Sequence, residues 1–290
     1  MTIKHLYIGG GHVYGFSFFG LLKQTNINKI WSLNNIKSIH GISAGSIIGT
    51  IISLNLEWDV IENYLINRPW NEIFDLNINS IFNSFQNCGI FSKNEFVMIF
   101  ESLFSAKDIS CDITMLDFYK LTGIEHYYIV SKINIITNKI EYLTISYKNY
   151  PNWKLLDVMY MSCSLPILFQ PLFIDNEVYL DGMFAFKNDV INEISHNNNE
   201  SLTIDDILLI TINNRYINPL VKTSSLFDYL LYIILILIKQ IEDVYNIDIE
   251  HPNNYKIKKE SFNLEIFYLT FTNKEERIRL INLGKNTFNK

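Results

Sequence analysis

The sequence predicts an α/β fold, in which strands and helices alternate along the chain around a mainly parallel sheet. Two observations carry this prediction. Residues 4–8 form a short apolar run that leads into three consecutive glycines and then into a helix-like segment. The same order of strand, glycine turn and helix recurs over residues 36–54. This alternation is typical of a parallel sheet covered by helices.

The remaining elements follow from the spacing of apolar residues. Helices are expected at residues 13–23, 46–54, 56–66, 93–103, 153–162, 226–241 and 274–283. Strands are expected at 126–133, 140–145, 207–212 and 264–271, with a hairpin over 173–180 that turns at Asp175 and Asn176. Residues 69–89 are interpreted as a loop or cap, and residues 251–261 as a polar link. No internal repeat or low-complexity linker divides the chain.

The composition excludes several functional classes. A chain of 290 residues that is 48% hydrophobic and 19% charged can bury a large core and is not a disordered tail. Its formal net charge of -6, with no basic runs, argues against nucleic acid as a partner. The three cysteines are widely spaced and show no zinc-site spacing, so they are interpreted as buried thiols in a reducing compartment.

The amino terminus and the longest apolar run bear on location. The opening MTIKHLYIGGG goes straight into a strand and a glycine turn, without the features of a signal peptide. The apolar run at 229–238 is about half of the roughly 20 residues that span a bilayer. We therefore expect no transmembrane segment, and a cytoplasmic protein that can act at the periphery of membranes.

The second glycine turn carries a candidate nucleophile. Residues 41–45 read Gly-Ile-Ser-Ala-Gly, a GxSxG pattern between a predicted strand and a predicted helix. On such a sharp turn the serine, Ser43, has a strained backbone, and its hydroxyl is exposed at the carboxyl end of the sheet. The following helix N-terminus favours negative charge there. A serine that merely caps a helix gives the same pentapeptide, so the pattern needs a partner group.

That partner is a base, because a serine hydroxyl is a poor nucleophile until its proton is removed. Asp181 ends a predicted strand and precedes a glycine, so its carboxylate can face the same sheet edge as Ser43. Asp-Gly is also an ordinary turn. A conventional triad would instead use a histidine downstream of the serine, and three candidates are available, none in a context that favours catalysis: His126, His196 and His251.

Four motifs together resemble the patatin-like phospholipase family. They are GGGHVYG at 9–15, GISAG at 41–45, MSCSLPILFQP at 161–171 and the Asp-Gly pair at 181–182, and their order and separations are similar to those of the family. Residues 115–143 resemble the family's helix, Thr-Gly turn and two strands. The resemblance implies a three-layer α/β/α catalytic domain over residues 1–215. Residues 216–290 would form a helical and strand extension packed on that domain.

The resemblance also implies an activity, that of a serine lipid acyl hydrolase of the phospholipase A or lysophospholipase type. Ser43 would be the nucleophile and Asp181 the base, with no histidine. The backbone N–H groups of Gly9, Gly10 and Gly11 would form an oxyanion hole, where one donor is worth ~3 to 4 kcal/mol of transition-state stabilisation. No metal or other cofactor is implied. The glycine loop departs from the family pattern by one extra residue between Gly11 and Gly15.

The implied substrate is a phospholipid or another acyl ester at a membrane surface. The aromatic-rich region 70–104 and the apolar helix at 226–238 are candidate walls for its acyl chain, and His12, beside the glycines, could assist the oxyanion site. Two alternatives remain open at this point. One is a histidine-dependent serine esterase, and the other is a catalytically impaired module that keeps the fold and binds lipid.

Overall fold

The structure is a computed structural model that describes residues 2–185, 190–213, 221–222, 225–244, 251–258 and 264–288. Its strands are β1 (His5–Ile8), β2 (Ser38–Ile42), β3 (Gly89–Phe91), β4 (Glu125–Asn134), β5 (Lys139–Ile145), β6 (Ile167–Phe169), β7 (Leu172–Ile174), β8 (Glu177–Asp181), β9 (Ile207–Asn213) and β10 (Asn254–Lys258). Its helices are α1 (Gly15–Ile27), α2 (Ala44–Ser53), α3 (Trp58–Asn67), α4 (Trp70–Ile73), α5 (Ile78–Asn87), α6 (Lys93–Ser105), α7 (Met115–Thr122), α8 (Leu155–Cys163), α9 (Val190–Asn198), α10 (Leu226–Val244), α11 (Leu264–Thr272) and α12 (Lys274–Thr287).

The main sheet has eight strands in the order β10-β9-β1-β2-β4-β8-β7, with β5 also paired to β4. The strands from β10 through β9, β1 and β2 to β4 are parallel. β5 and β8 run antiparallel to β4, and β7 runs antiparallel to β8. A separate two-stranded sheet pairs β3 with β6. The predicted mainly parallel sheet is confirmed.

Helices cover both faces of this sheet. The Tyr128 hydroxyl lies 2.8 Å from Thr50 Oγ1 of α2. The neighbouring Tyr127 hydroxyl donates to the carbonyl oxygen of Asn197 in α9, at 2.7 Å. Because successive side chains of a strand point to opposite faces, α2 and α9 lie on opposite sides of β4. The α/β fold with a helix layer on each face is therefore the observed one.

The described carboxy-terminal residues contact both the sheet and its helices. β10 pairs with β9, and α12 packs against α1, where the Ser17 hydroxyl donates to the carbonyl oxygen of Leu280 at 2.7 Å. The two helices approach so closely that a Cβ on Gly20 would overlap the Ile281 carbonyl oxygen. The division of the chain at residues 215 and 216 stays a prediction.

Residues 264–271 were predicted as a strand, and this prediction is wrong, because they form helix α11. Aromatic and β-branched residues favour strands locally. Here Phe267 and Phe271, one helical turn apart, both pack against the ring of Phe74, at centroid distances of 5.9 and 4.4 Å. A helix places both rings in one buried cluster, so packing overrides the local preference.

Four further predictions need correction. Of the three cysteines interpreted as buried thiols, Cys163 is buried, whereas Cys111 is half-buried and Cys88 is exposed. Residues 69–89 contain the helices α4 and α5 rather than only a loop, and His196 lies in α9 rather than in a loop. The polar link at 251–261 contains the strand β10 in its described part. The lysines of this segment, Lys256 and Lys258, made it resemble a polar link. They are compatible with a strand because β10 lies at the edge of the described sheet, where strands commonly carry lysine.

None of the described helices combines the length and the apolar character that crossing a bilayer requires.

Candidate active site

Ser43 occupies the tight turn between β2 and α2, as the GxSxG pattern predicts. Its backbone has φ 52° and ψ -121°, a conformation that is strained for a residue with a side chain. A Cβ on Gly41 would lie 2.7 Å from Ser46 Cα, and a Cβ on Gly45 would overlap the Ile8 carbonyl oxygen. Both glycines are therefore required for the close approach of β2, α2 and β1.

The variant Gly45→Ala should destabilise the fold by about 3 kcal/mol, because the added methyl group collides with backbone atoms that cannot move independently. Urea denaturation measures this difference. Gly9→Ala is the matched control, since its added Cβ would meet nothing closer than 3.4 Å. Equal stability of the two variants would contradict the close packing of α2 on β1.

Ser162 holds the serine turn to the centre of the sheet. Its hydroxyl oxygen accepts a hydrogen bond from the Ser43 N–H at 3.1 Å and donates to the Ile129 carbonyl oxygen at 2.7 Å. It also lies 2.8 Å from Ser46 Oγ. Sequence reasoning did not single out Ser162, although it lies in the motif at 161–171. The available signal was a small polar residue among the apolar residues that follow Asp157 in this helix.

Asp181 ends β8 and is almost completely buried, with 1% of its surface exposed. Its N–H donates to the Ser164 carbonyl oxygen at 3.0 Å, and its Oδ1 accepts a hydrogen bond from the Met183 N–H at 2.9 Å. The next residue, Gly182, lies so close to Ile129 that a Cβ would overlap the Ile129 carbonyl oxygen. The carboxylate is thus oriented by the 3₁₀ turn at Gly182–Phe184.

The pairing register brings the ends of β2 and β8 together. β5 pairs with β4 from Tyr128 to Asn134 and so occupies one side of this stretch. β2 pairs with β4 up to Ile129, and β8 pairs with residues 130–134, so both overlap the stretch. Both strands must therefore lie on the other side of β4. There Ile42 is opposite Ile129, and Asp181 is opposite the next residue, Val130. β2 and β8 therefore meet end to end beside β4. This arrangement places Ser43, which follows Ile42, beside Asp181.

The glycine loop follows β1 and lies against the same turn. The Gly9 N–H donates to the Ile210 carbonyl oxygen of β9 at 2.9 Å, so this N–H is engaged within the sheet. Gly10 packs against Met183, whose Sδ a Cβ on Gly10 would overlap. The extra residue of the loop is accommodated in a 3₁₀ turn at His12–Tyr14, where His12 has φ 48°.

An apolar cavity of about 110 Å³ opens beside Ser43. Its polar side chains are those of Ser43 and His12. The other lining residues are apolar residues, glycine or cysteine, and come from α1, α2, α3, α4, α6, α8, β6, α11 and adjoining turns: Val13, Gly15, Phe16, Ala44, Ile47, Ile48, Ile51, Leu65, Trp70, Phe74, Phe96, Ile99, Cys163, Leu165, Leu168, Phe169, Phe267 and Phe271. The predicted wall at 70–104 is present. The described residues of α10 do not line the cavity, and α11 takes that place.

Cys163 connects the cavity with Asp181. It lines the cavity, and burial together with the nearby charge of Asp181 raises its pKa well above the usual value of a thiol. The thiol is therefore neutral at physiological pH and contributes an apolar surface.

The three histidines considered as alternative bases lie elsewhere. His126 is buried, with Nε2 3.1 Å from Ser53 Oγ, and burial lowers its pKa to about 4. It pairs with Ile39, near the opposite end of β2 from Ser43. His196 is exposed on α9, and His251 lies 3.2 Å from Asp205. Among the described histidines, His12 alone lines the cavity.

Comparison with known proteins identifies the family. The family model of patatin-like phospholipase matches residues 6–192, a span that contains the glycine loop, the serine turn and Asp181. The chain belongs to the patatin-like phospholipase family. The resemblance seen in the sequence motifs is thus confirmed. In the described residues of this patatin-like chain, no group of three or more His, Cys, Asp or Glu side chains is placed to hold a metal ion.

Two viral proteins and one bacterial structure are similar to this patatin-like chain. It is 27% identical over 181 residues to the probable lipid hydrolase 463L of Invertebrate iridescent virus 6, covering 62% of this chain and 59% of that protein. It is 25% identical over 229 residues to the uncharacterized protein R571 of Acanthamoeba polyphaga mimivirus, covering 74% and 72%. VipD from Legionella pneumophila superposes with a TM-score of 0.53 at 12% identity, over 99% of this chain and 66% of VipD. The likeness to VipD shows the fold alone.

Proposed function

We propose that this protein hydrolyses fatty acyl ester bonds of lipids, as a phospholipase A or lysophospholipase, through a dyad of Ser43 and Asp181. The observation that carries the proposal is the end-to-end meeting of β2 and β8 beside β4, next to an apolar cavity. It supports a nucleophile and a base at one point of the sheet. Family membership and the relative named as a probable lipid hydrolase agree with this activity.

The reaction proceeds in two halves. Asp181 accepts the proton of the Ser43 hydroxyl as Oγ attacks the ester carbonyl carbon, and the carbonyl oxygen becomes an oxyanion. Collapse of this intermediate breaks the bond to the alcohol, which leaves with the proton from Asp181. Water then attacks the acyl-serine, Asp181 accepts its proton, and collapse of the second intermediate returns that proton to Ser43 and releases the fatty acid.

The N–H groups of Gly10 and Gly11 are the proposed oxyanion donors. The sequence-based expectation also included Gly9, but its N–H is engaged by the Ile210 carbonyl oxygen. Gly10 and Gly11 donate to no backbone carbonyl of the described residues. Gly9 therefore anchors the loop to β9, while the next two amides are the donors available for the intermediate.

The substrate class follows from the cavity beside Ser43. Its wall is formed almost entirely of aliphatic and aromatic side chains, which favour a hydrocarbon chain over a polar group. The fatty acyl chain occupies this cavity, and the ester carbonyl lies at Ser43. The alcohol part of the lipid, with its headgroup, points away from the cavity toward the lipid surface.

The test is to incubate the protein with phosphatidylcholine and lysophosphatidylcholine vesicles and to identify the products by mass spectrometry. Release of fatty acid, together with labelling of Ser43 by a fluorophosphonate probe, is the expected result. Vesicle binding without either signal would instead support the catalytically impaired lipid-binding module.

Replacing the three candidate histidines should leave hydrolysis almost unchanged. In His126→Gln, His196→Gln and His251→Gln we expect kcat on a soluble acyl ester within about threefold of the parent, because none of these side chains lines the cavity. A melting curve for each variant confirms that it is folded. A drop of more than about 100-fold in one folded variant would support the histidine-dependent esterase.

A further inference from the structure

Helix α10 has an apolar stripe that is exposed among the described residues. The side chains recur at helical spacing and are 58%, 40%, 39% and 49% exposed: Leu226, Leu230, Ile233 and Leu237. The buried stripe of the same helix is also apolar and contains Leu231, Leu235 and Ile238. The exposed stripe is therefore an apolar surface of the kind that marks a contact with another protein or with a membrane.

Helix α5 extends this stripe. Its Phe82 and Phe85 are 67% and 63% exposed, and the ring of Phe85 lies 5.8 Å from the ring of Phe227 in α10. We name the combined surface the α5–α10 face. It consists of Phe82, Phe85, Leu226, Leu230, Ile233 and Leu237. Two elements that are distant in sequence thus contribute exposed apolar side chains to one surface.

The α5–α10 face borders the candidate active site. Helix α10 contacts β6, in which Leu168 and Phe169 line the cavity. It also contacts the 3₁₀ turn at Gly182–Phe184, which directly follows Asp181. Helix α10 therefore packs beside one strand that lines the cavity and beside the turn that follows the candidate base.

The charge of this surface differs from that of the whole chain. Residues 221–240 carry two lysines, Lys222 and Lys239, and one carboxylate, Asp228, and α5 carries no charged residue. The chain as a whole has a formal net charge of -6. The stretch 226–237, which contains the α10 part of the face, carries Asp228 as its one charged residue, and Glu242 and Asp243 follow near the end of the helix. Contact through this surface depends on burial of apolar area rather than on electrostatic attraction.

We propose that the α5–α10 face docks on the surface of a lipid bilayer and places the cavity mouth against it. A bilayer is favoured over a second copy of this chain, because two copies that each carry a charge of -6 repel each other. A bilayer also accounts for the position of α10 beside elements that line an apolar cavity. The docking itself is independent of the proposed function, but its role in supplying an ester to Ser43 rests on it.

The test measures binding to phosphatidylcholine vesicles by co-sedimentation, with the Ser43→Ala protein so that no lipid is consumed. The triple variant Leu230→Gln, Ile233→Gln, Leu237→Gln should bind at least about tenfold more weakly. The matched control changes three apolar residues that are 52%, 56% and 87% exposed elsewhere: Val60→Gln, Leu121→Gln and Ile136→Gln. The control should bind as the parent does, and added salt should leave binding unchanged.

Equal binding by the triple variant and the parent, with both folded by their melting curves, would overturn the proposal. It is also overturned if light scattering shows a dimer that the triple variant disrupts while vesicle binding persists. With Ser43 present, the triple variant should keep its hydrolysis of a soluble short-chain ester and lose hydrolysis of vesicle lipid. Vesicle binding through this face without any ester hydrolysis would refute the proposed function and leave the docking surface intact.

Discussion

The variant Ser43→Ala should hydrolyse acyl esters about 10⁴-fold more slowly than the parent, because it lacks the oxygen that forms the acyl intermediate. The fold should be unaffected. The hydrogen bond to Ser162 is made by the backbone N–H of residue 43 and survives the change, and alanine is subject to the same positive-φ strain as serine. The measurement is kcat/KM on a soluble ester, with fluorophosphonate labelling and a melting curve beside it.

Ser53→Ala is the matched control for this variant. Ser53 is a buried serine at the end of the same helix, α2, and its hydroxyl donates to the Thr50 carbonyl oxygen, away from the cavity. We expect its activity to remain within about threefold of the parent. If Ser43→Ala keeps both the activity and the fluorophosphonate label, the nucleophile is another residue and the proposed dyad is wrong.

The variant Asp181→Asn should lower kcat by about 10³- to 10⁴-fold, because an amide cannot accept the serine proton. The change preserves size, and the asparagine side-chain oxygen can still accept the hydrogen bond from the Met183 N–H. Stability is therefore expected to change little compared with activity. The comparison of kcat with KM is informative, since loss of a base lowers kcat and leaves substrate binding nearly unchanged.

Asp175→Asn provides the control in the same hairpin. Asp175 lies in the turn between β7 and β8 with φ 54°, a conformation that asparagine also tolerates. Its replacement should leave kcat unchanged. Full activity of Asp181→Asn would mean that another group takes the proton, and His12, the histidine that lines the cavity, would be the next residue to replace.

The two members of the proposed dyad, and a shared sheet edge, could be predicted from local sequence, whereas the end-to-end meeting of their strands could not. A GxSxG turn and an Asp-Gly pair each indicate a loop at the end of a strand. Their meeting depends on β8 running antiparallel to β4 and continuing the line of β2 along one side of it. This is a matter of register between strands that are distant in sequence, and no spacing within one segment encodes it. The engagement of the Gly9 N–H by β9 depends on the same long-range pairing.

The fold was predicted best where one periodicity dominates. The alternating strands and helices from β1 to α2 were recognised because glycines mark their turns. Residues 264–271 were misassigned since aromatic residues suit a strand as well as a helix, and only the buried cluster around Phe74 decides between them. The helix α5 was missed because its exposed phenylalanines, Phe82 and Phe85, do not show which side faces the core.

Both residues of the proposed dyad are positioned beside one strand, β4. The elements that would admit the substrate are therefore different from those that position the proposed reacting groups. Ile42, which precedes Ser43, and Asp181 pair with two consecutive residues of β4 within the sheet. The cavity wall formed by α11, and the helix α10 beside it, belong to other segments of the chain. Those helices take no part in the strand pairing that positions the proposed nucleophile and the proposed base. For the proposed function we therefore expect acyl chains of different length and shape to be accepted without a matching adjustment of Ser43 and Asp181.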